Sequence, residues 1–252
     1  MGRSVLVTGS SRGIGRAIAV ALADAGAEVV GVHYTRDEAA ARQTAELVRR
    51  SGAVPVLVQA GFDADGATAA ERLATAFLDQ VEQAVGRREI DVLVNNAGIA
   101  ESQRLGSIDE ATYRRTVEIN LTVPLFLTQA LWPHMRDGGR VVNISTGYTR
   151  IAAPTHPVYS ATKAALNALT LALAPTLAAR GITVNAVMPG IIDTDMNAGW
   201  LQGDARESAA ALSVFNRVGT VDDVADVVRF LASEQARWVT GQVVDATGGS
   251  AL

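Results

Sequence analysis

The chain has 252 residues, of which 48% are hydrophobic and 19% charged, and its formal net charge is −4. This charge gives no basic field for nucleic acid, and the absence of cysteine excludes disulfides and thiolate metal sites. We expect no signal peptide, and we find no apolar run long enough to span a bilayer. The 3 histidines lack metal-ligand spacing. We therefore expect a cytoplasmic protein with no metal, no nucleic-acid partner and no membrane partner.

Short apolar runs alternate with longer amphipathic segments along the chain. The predicted strands cover residues 5–7, 29–32, 54–58, 91–94, 140–145, 182–187 and 239–245. The predicted helices are a segment that ends at residue 26, then 37–50, 69–85, 107–132, 157–179 and 222–231. The length and this order of elements are typical of a single α/β domain over residues 1–252.

The first predicted strand runs directly into a glycine-rich turn at residues 8–15, and a helix follows. Glycines let the backbone approach a pyrophosphate closely, and the helix N-terminus presents N–H groups to its charge. The spacing is G-x-x-x-G-x-G and not the G-x-G-x-x-G fingerprint. The turn predicts a dinucleotide site, and the alternative is a tight turn that binds no ligand.

The end of the second strand is expected to meet the adenosine ribose of such a cofactor. A carboxylate there suits the ribose 2′-hydroxyl, whereas basic groups suit a 2′-phosphate. The tip carries His33 where an acid would stand, Arg36 is close, and Arg12 lies in the glycine turn. Guanidinium groups bind phosphate well, so we predict NADP(H) over NAD(H), with His33 a candidate phosphate contact. The alternative is that Arg36 only opens the next helix, exposed to solvent.

Polar residues also follow two later strands. Residues 95–98 (Asn-Asn-Ala-Gly) follow the fourth strand and Ser145 ends the fifth, and ligands of open α/β sheets bind at the carboxyl ends of strands. Asn120 lies among apolar residues of a predicted helix, where a buried amide needs hydrogen-bonding partners. It is either a core residue or a part of the site.

Tyr159 and Lys163 are four residues apart in a predicted helix, so their side chains share one face. A free tyrosine ionises near pH ~10, and a neighbouring positive charge lowers that pKa. Tyr159 is then a candidate acid or base for a substrate oxygen. The alternative is a tyrosine and a lysine on a solvated helix face.

The segment 191–215 is irregular and mixed in composition, with Met196, Trp200 and Leu201. We interpret it as a lid over the substrate, and the alternative is a surface loop without this role. Tyr148, Arg150 and His156 are candidates to line the entrance of the substrate-binding site. Two arginines, at positions 114 and 115, suit an acidic carrier protein, although a solvated helix face explains them as well.

Taken in order, these motifs resemble those of the short-chain dehydrogenase/reductase family, and most closely the 3-oxoacyl-carrier-protein reductases and related carbonyl reductases. The resemblance covers nearly the whole chain. It rests on residues 8–15 and 95–98, and on Asn120, Ser145, Tyr159, Lys163, Pro189, Gly190 and Thr194.

The resemblance implies a Rossmann-type doubly wound α/β fold, with seven parallel strands and helices on both faces, and a nicotinamide cofactor. It implies four catalytic residues: Tyr159 as the acid, Ser145 binding the carbonyl oxygen, Lys163 lowering the Tyr159 pKa, and Asn120 holding a relay water. The candidate cofactor-binding residues are Gly9, Ser11, Arg12, Gly13, Ile14, Gly15, His33, Tyr34, Arg36, Gly61, Phe62, Asp63, Asn96, Ala97, Gly98, Tyr159, Lys163, Pro189, Gly190, Ile192 and Thr194.

Two departures from the family pattern stand out. Gly61-Phe62 occupies the place after the third strand where family members carry an acid for the adenine, so this contact is expected to shift to Asp63 or to backbone groups. Pro175 lies inside the catalytic helix, where it removes a backbone donor and is expected to kink the helix.

The leading hypothesis is NADPH-dependent reduction of a ketone to a secondary alcohol, on a 3-oxoacyl thioester or a polyketide-like carbonyl. The substrate is a small molecule, either free or on an acyl carrier protein, and relatives suggest a homotetramer or homodimer. The first alternative is an NAD(P)+-dependent dehydrogenase of a sugar, steroid or small secondary alcohol. The second is a cofactor-binding regulator without turnover.

Overall fold

The computed structural model describes residues 2–62 and 65–251. Within them, seven strands form one sheet: β1 (Arg3–Val7), β2 (Ala27–Tyr34), β3 (Val54–Gln59), β4 (Ile90–Asn95), β5 (Met135–Ile144), β6 (Thr183–Pro189) and β7 (Val243–Ala246). All pair in parallel, in the order β3-β2-β1-β4-β5-β6-β7. The predicted Rossmann-type α/β fold is confirmed.

The described helices connect the strands in the manner of βαβ units. They are α1 (Gly13–Asp24), α2 (Glu38–Arg50), α3 (Gly66–Val85), α4 (Glu110–Val117), α5 (Val123–Leu131), α6 (Pro157–Ala178), α7 (Gly203–Ala211) and α8 (Val221–Leu231). None of them is long and apolar enough to cross a membrane. Parallel strands need such crossovers, which place helices over the sheet.

The apolar residues of the strands are divided between the two faces of the sheet. Val5 and Val7 belong to the core cluster beneath α1, α2 and α8, whereas Leu6 between them belongs to the cluster beneath α3, α5 and α6. Successive side chains of a strand point to opposite faces, so a continuous apolar run buries both. This burial holds the strand ends, where the polar residues lie, in fixed positions.

The strand order reverses between β1 and β4, which pair through Val5–Val7 and Val92–Val94. At such a switch point, the connections leave the two strands toward opposite faces and open a crevice at their carboxyl ends. The glycine turn after β1 and the polar tip of β4 therefore lie side by side.

Three elements differ from their predicted forms. The long helix predicted over 107–132 is interrupted, because residues Glu118–Thr122 form a π-helical turn between α4 and α5. The irregular segment 191–215 contains helix α7, and β7 is shorter than the predicted strand 239–245. Pro175 lies within α6, which continues as one helix on both sides of it.

Candidate active site

A cavity of about 540 Å³ opens at the carboxyl ends of the strands, over the switch point. It brings together residues from the glycine turn, the tips of β2, β4, β5 and β6, and the start of α6. The predicted site residues that line it are Gly9, Ser11, Arg12, Gly13, Ile14, Gly15, His33, Tyr34, Arg36, Phe62, Asn96, Ala97, Gly98, Ser145, Tyr159, Lys163, Pro189, Gly190, Ile192 and Thr194.

The glycine turn packs closely against the tip of β4. Gly9 has a φ of +63°, which only glycine adopts readily. A Cβ added at Gly15 would lie 2.5 Å from Nδ2 of Asn96, which donates hydrogen bonds to the carbonyls of Thr8 (2.8 Å) and Gly9 (3.1 Å). The turn therefore has no room for a side chain at position 15.

The N-terminus of α1 fits the pyrophosphate of a dinucleotide. Its N-cap residue, Arg12, makes no side-chain capping hydrogen bond, and the first turn contains no acidic residue. The first N–H groups of a helix need acceptors and favour negative charge. The residues at this end of the cavity suit a phosphate group.

His33 does not act as the phosphate contact that the sequence suggested. Its Nδ1 accepts a 2.8 Å hydrogen bond from the Gly9 N–H, so the ring proton is on Nε2, 3.1 Å from the Ala60 carbonyl. The ring stacks on Phe62 at 4.8 Å between centroids, and its burial lowers the pKa to about 4. A neutral imidazole whose two nitrogens are occupied offers a phosphate neither charge nor a donor.

Two guanidinium groups line the cavity, one from the glycine turn and one from the residues after β2. Arg12 and Arg36 both line it, and Arg12 lies 3.7 Å from Asp195 in an exposed ion pair. Asp37 also lines the cavity, but its carboxylate caps α2 by accepting a 2.9 Å hydrogen bond from the Ala40 N–H. This arrangement suits a ribose 2′-phosphate better than a 2′-hydroxyl.

In this structure the hydroxyl that interacts with Tyr159 belongs to Thr146, whereas the resemblance implied this position for Ser145. The Thr146 side chain hydrogen-bonds Tyr159, whereas the Ser145 hydroxyl is 3.5 Å from the Lys163 carbonyl. Neighbouring residues of extended backbone point their side chains in opposite directions. The sequence offered two adjacent hydroxyls, and only the fold shows which one meets Tyr159.

The pKa of Tyr159 is raised in this structure, whereas Lys163 was expected to lower it. Burial raises the pKa of Tyr159, the Thr146 hydrogen bond opposes this rise, and the nearby Tyr148 adds to it. The Lys163 ammonium is 6.0 Å from the Tyr159 ring centroid and donates a 2.7 Å hydrogen bond to the Ile144 carbonyl. Burial lowers the pKa of Lys163 to about 8.

Asn120 lies in the π-helical turn, fully buried behind the cavity. Its amide accepts a 2.9 Å hydrogen bond from the Ile99 N–H and donates one of 2.9 Å to the Ile99 carbonyl. A Cβ at Gly98 would lie 3.2 Å from Oδ1 of Asn120 and 3.3 Å from Nζ of Lys163. Because Gly98 has no side chain, the backbone after β4 can approach both Asn120 and Lys163. The hydrogen bonds of Asn120 in turn hold the backbone of Ile99 in place.

The chain as a whole is similar to proteins of known classes. A family model described as enoyl-(acyl carrier protein) reductase matches residues 9–251. The short-chain dehydrogenase/reductase FrzI of Cladobotryum sp is 38% identical over 98% of this chain and 95% of its own length. The chain belongs to the short-chain dehydrogenase/reductase family.

Two further relatives of this short-chain dehydrogenase/reductase have more specific names. The 3-oxoacyl-[acyl-carrier-protein] reductase FabG of Staphylococcus aureus (strain Mu50) is 36% identical over 99% of the chain and 98% of its own length. The crystal structure of the angucycline C-6 ketoreductase LanV with bound NADP matches with a TM-score of 0.93 and 38% identity, over 98% of this chain and 95% of that one. This protein is thus an oxidoreductase of the family.

Some of the predicted site residues do not line the cavity, and the sequence analysis did not identify all of the residues that do. Gly61 and Asn120 lie outside the cavity lining, and Asp63 falls outside the described residues. The lining residues without a predicted role in cofactor binding or catalysis include Thr146, Tyr148, Ile151, Met196, Trp200 and Leu212. The sequence offered only one indication for these residues, namely that they follow β5 or lie in the irregular segment 191–215. This indication is too general to identify single residues.

Proposed function

We propose that this short-chain dehydrogenase/reductase reduces a ketone to a secondary alcohol with NADPH. The observation that carries the proposal is the Tyr159 phenol, which lines the cavity, hydrogen-bonds Thr146 and has a pKa raised by burial. A tyrosine with a raised pKa is protonated at neutral pH. Reduction needs a proton donor at the carbonyl oxygen, and a protonated phenol is such a donor.

The residues of the site have separate tasks in this reduction. Tyr159 donates its hydroxyl proton to the carbonyl oxygen, and Thr146 orients the phenol and stabilises the negative charge that develops there. NADPH, when bound, supplies the hydride. Lys163, with a pKa of about 8, stays charged at neutral pH and supports binding of the nicotinamide ribose. Asn120 holds the backbone around Ile99 and, with a water, relays protons.

The cofactor is bound by the opposite end of the cavity. The backbone of the glycine turn and the α1 N-terminus hold the pyrophosphate, while Arg12 and Arg36 bind the 2′-phosphate. Tyr34 and Phe62 border the adenosine, and Thr194 binds the nicotinamide carboxamide. The NADP bound to LanV supports this choice of cofactor.

The reverse reaction is the second candidate. Oxidation of an alcohol would use the same site with Tyr159 as the base. We favour reduction because the relatives LanV and FabG are named as a ketoreductase and a reductase. The carbonyl belongs to a polyketide-type ketone, as the ketoreductase name of LanV suggests, or to a 3-oxoacyl thioester, as the name of FabG suggests.

Residues 191–215 serve in this proposal as a cover for the substrate. Met196, Trp200 and Leu212 are 63%, 45% and 53% exposed, yet all three line the cavity. Apolar side chains in this position gain burial when an apolar substrate binds. Their exposure supports a cover that closes on the substrate.

The protein is further proposed to form a homodimer or homotetramer in the cytoplasm. Large apolar side chains are exposed outside the cavity, among them Leu105 (92%), Leu171 (65%) and Trp238 (96%), and exposed apolar surface of this kind marks association sites. The lack of cysteine is compatible with a reducing compartment. Light scattering of the purified protein measures the oligomeric state.

Replacement of Tyr159 by phenylalanine tests the proposal. NADPH oxidation over a panel of ketones is measured for the wild type and Tyr159→Phe, together with NADPH binding by fluorescence. We expect kcat to fall by ~10²–10⁴-fold, while NADPH still binds. Undiminished turnover in the variant would show that another group donates the proton.

A further inference from the structure

The substrate end of the cavity is built around a cluster of aromatic rings. Tyr148 lies 5.6 Å from His156 and 6.4 Å from Tyr159 between ring centroids, and the planes of the two tyrosine rings are perpendicular. His156 and Tyr159 are also in edge contact at 6.4 Å. Tyr148 is half-buried and lines the cavity. This cluster sets an aromatic surface directly beside the proton donor.

Aromatic residues are scarce in this chain, which makes their concentration here informative. Two of its 4 tyrosines, Tyr148 and Tyr159, line the substrate end of the cavity, and Trp200, one of its 3 tryptophans, lines the cavity as well. Aromatic faces bind flat π-systems in offset-stacked or edge-to-face geometry. A site for a short aliphatic chain needs no such rings.

Further apolar side chains line the substrate end. Ile151, Met196 and Leu212 line the cavity together with Tyr148 and Trp200. Burial of His156 lowers its pKa, which favours a neutral ring beside Tyr148 at neutral pH. A molecule bound among these residues loses its contact with water over most of its surface, so it must itself be largely apolar.

The arginines near the cavity are paired with carboxylates of the same chain. Arg115, which lines the cavity, lies 3.5 Å from Glu101, and Arg150, close to Tyr148 in sequence, lies 2.9 Å from Asp245. In the segment 191–215, Arg206 binds Asp193 at 2.7 Å. These carboxylates offset the positive field that would attract an acidic carrier protein.

We infer that the substrate is a free, planar, fused-ring aromatic ketone that stacks on Tyr148 and presents its carbonyl oxygen to Tyr159, and not a carrier-bound acyl thioester. This inference rests on the proposed ketone reduction and names its substrate class. The rings of Tyr148 and Tyr159 are perpendicular and adjacent. A ketone stacked on Tyr148 therefore lies beside the proton donor. A stacked ring system therefore gains affinity with each ring that the apolar wall covers.

A series of ketones with increasing ring number tests this assignment. NADPH oxidation is measured with a monocyclic cyclohexanone, a bicyclic tetralone and a tricyclic tetrahydroanthracenone, and with acetoacetyl-coenzyme A as the thioester. We expect KM to fall with each added ring, and kcat/KM for the tricyclic ketone to exceed that for the thioester. A higher kcat/KM for the thioester overturns the substrate class but leaves ketone reduction intact. The absence of NADPH oxidation with every carbonyl overturns both.

Variants of Tyr148 separate stacking from a structural role. Tyr148→Leu removes the aromatic face, and we expect KM for the tricyclic ketone to rise by about 5-fold more than KM for cyclohexanone. Tyr148→Phe keeps the ring and should restore the selectivity for the tricyclic ketone. Tyr113→Leu changes an exposed tyrosine outside the cavity lining and serves as the matched control. An equal rise in KM for both ketones in Tyr148→Leu contradicts the stacking.

Discussion

The backbone N–H of Gly9 donates a hydrogen bond to Nδ1 of His33, and this contact joins the glycine turn to the end of β2. On its other side, the His33 ring reaches the Ala60 carbonyl after β3. One neutral imidazole thus connects the ends of three neighbouring strands beneath the cofactor end of the cavity. Its protonation would place an N–H against the Gly9 N–H and break the connection.

The first prediction concerns the acid sensitivity that His33 confers. Its pKa is about 4 in the folded protein and 6.5 for an unperturbed histidine. The neutral ring therefore makes its full contribution to the free energy of unfolding above about pH 6.5, and this contribution is lost as the pH falls toward 4. We expect the free energy of unfolding to fall by about 2 kcal/mol more in the wild type than in His33→Phe between about pH 7.5 and pH 5. Urea unfolding at both pH values measures this. Equal losses in the two proteins would contradict it.

The second prediction concerns the close packing of the glycine turn. In Gly15→Ala, the new methyl group would collide with the Gly9 carbonyl and the Asn96 amide, so we expect a large fall in Tm or the loss of NADPH binding. Thermal unfolding with and without NADPH measures both effects. Gly199→Ala is the control, because a Cβ at Gly199 meets no atom within 4 Å. A Tm and an NADPH affinity unchanged in Gly15→Ala would refute this packing.

The third prediction distinguishes the two neighbouring hydroxyls. Thr146→Val keeps the side-chain shape but removes the hydroxyl, and we expect kcat to fall by about 10²-fold because Tyr159 and the developing charge lose a hydrogen bond. Thr146→Ser should retain most of the activity. Steady-state kinetics with a fixed ketone measure kcat for each. If Ser145→Ala lowers kcat more than Thr146→Val does, the assignment to Thr146 fails.

The fourth prediction concerns the choice between the two cofactors. Arg36→Ala removes a guanidinium from the end of the cavity that suits the 2′-phosphate, so KM for NADPH is expected to rise by about 10-fold, with KM for NADH nearly unchanged. Arg42→Ala, which removes an exposed partner of Glu38 on α2 outside the cavity lining, is the control. A similar rise in KM for both cofactors in Arg36→Ala would argue against a 2′-phosphate contact.

The sequence by itself determined the order of strands and helices, and with it the fold. Continuous apolar runs such as Val5–Val7 read as strands buried on both faces, because a parallel sheet is covered by helices on each side. The glycine turn and the pair Tyr159 and Lys163 were recognisable because their spacing follows from backbone geometry. Local rules of this kind need no knowledge of distant contacts.

Only the tertiary structure decided which groups meet. Whether Ser145 or Thr146 faces Tyr159 depends on the direction in which the backbone leaves β5, and the state of His33 depends on Gly9 and Ala60, which approach it from other strands. The pKa of Tyr159 rises because burial outweighs the hydrogen bond with Thr146, and the Lys163 ammonium donates its hydrogen bond to the Ile144 carbonyl. Burial and hydrogen bonding between distant segments arise when the chain packs, so residue spacing alone does not contain them.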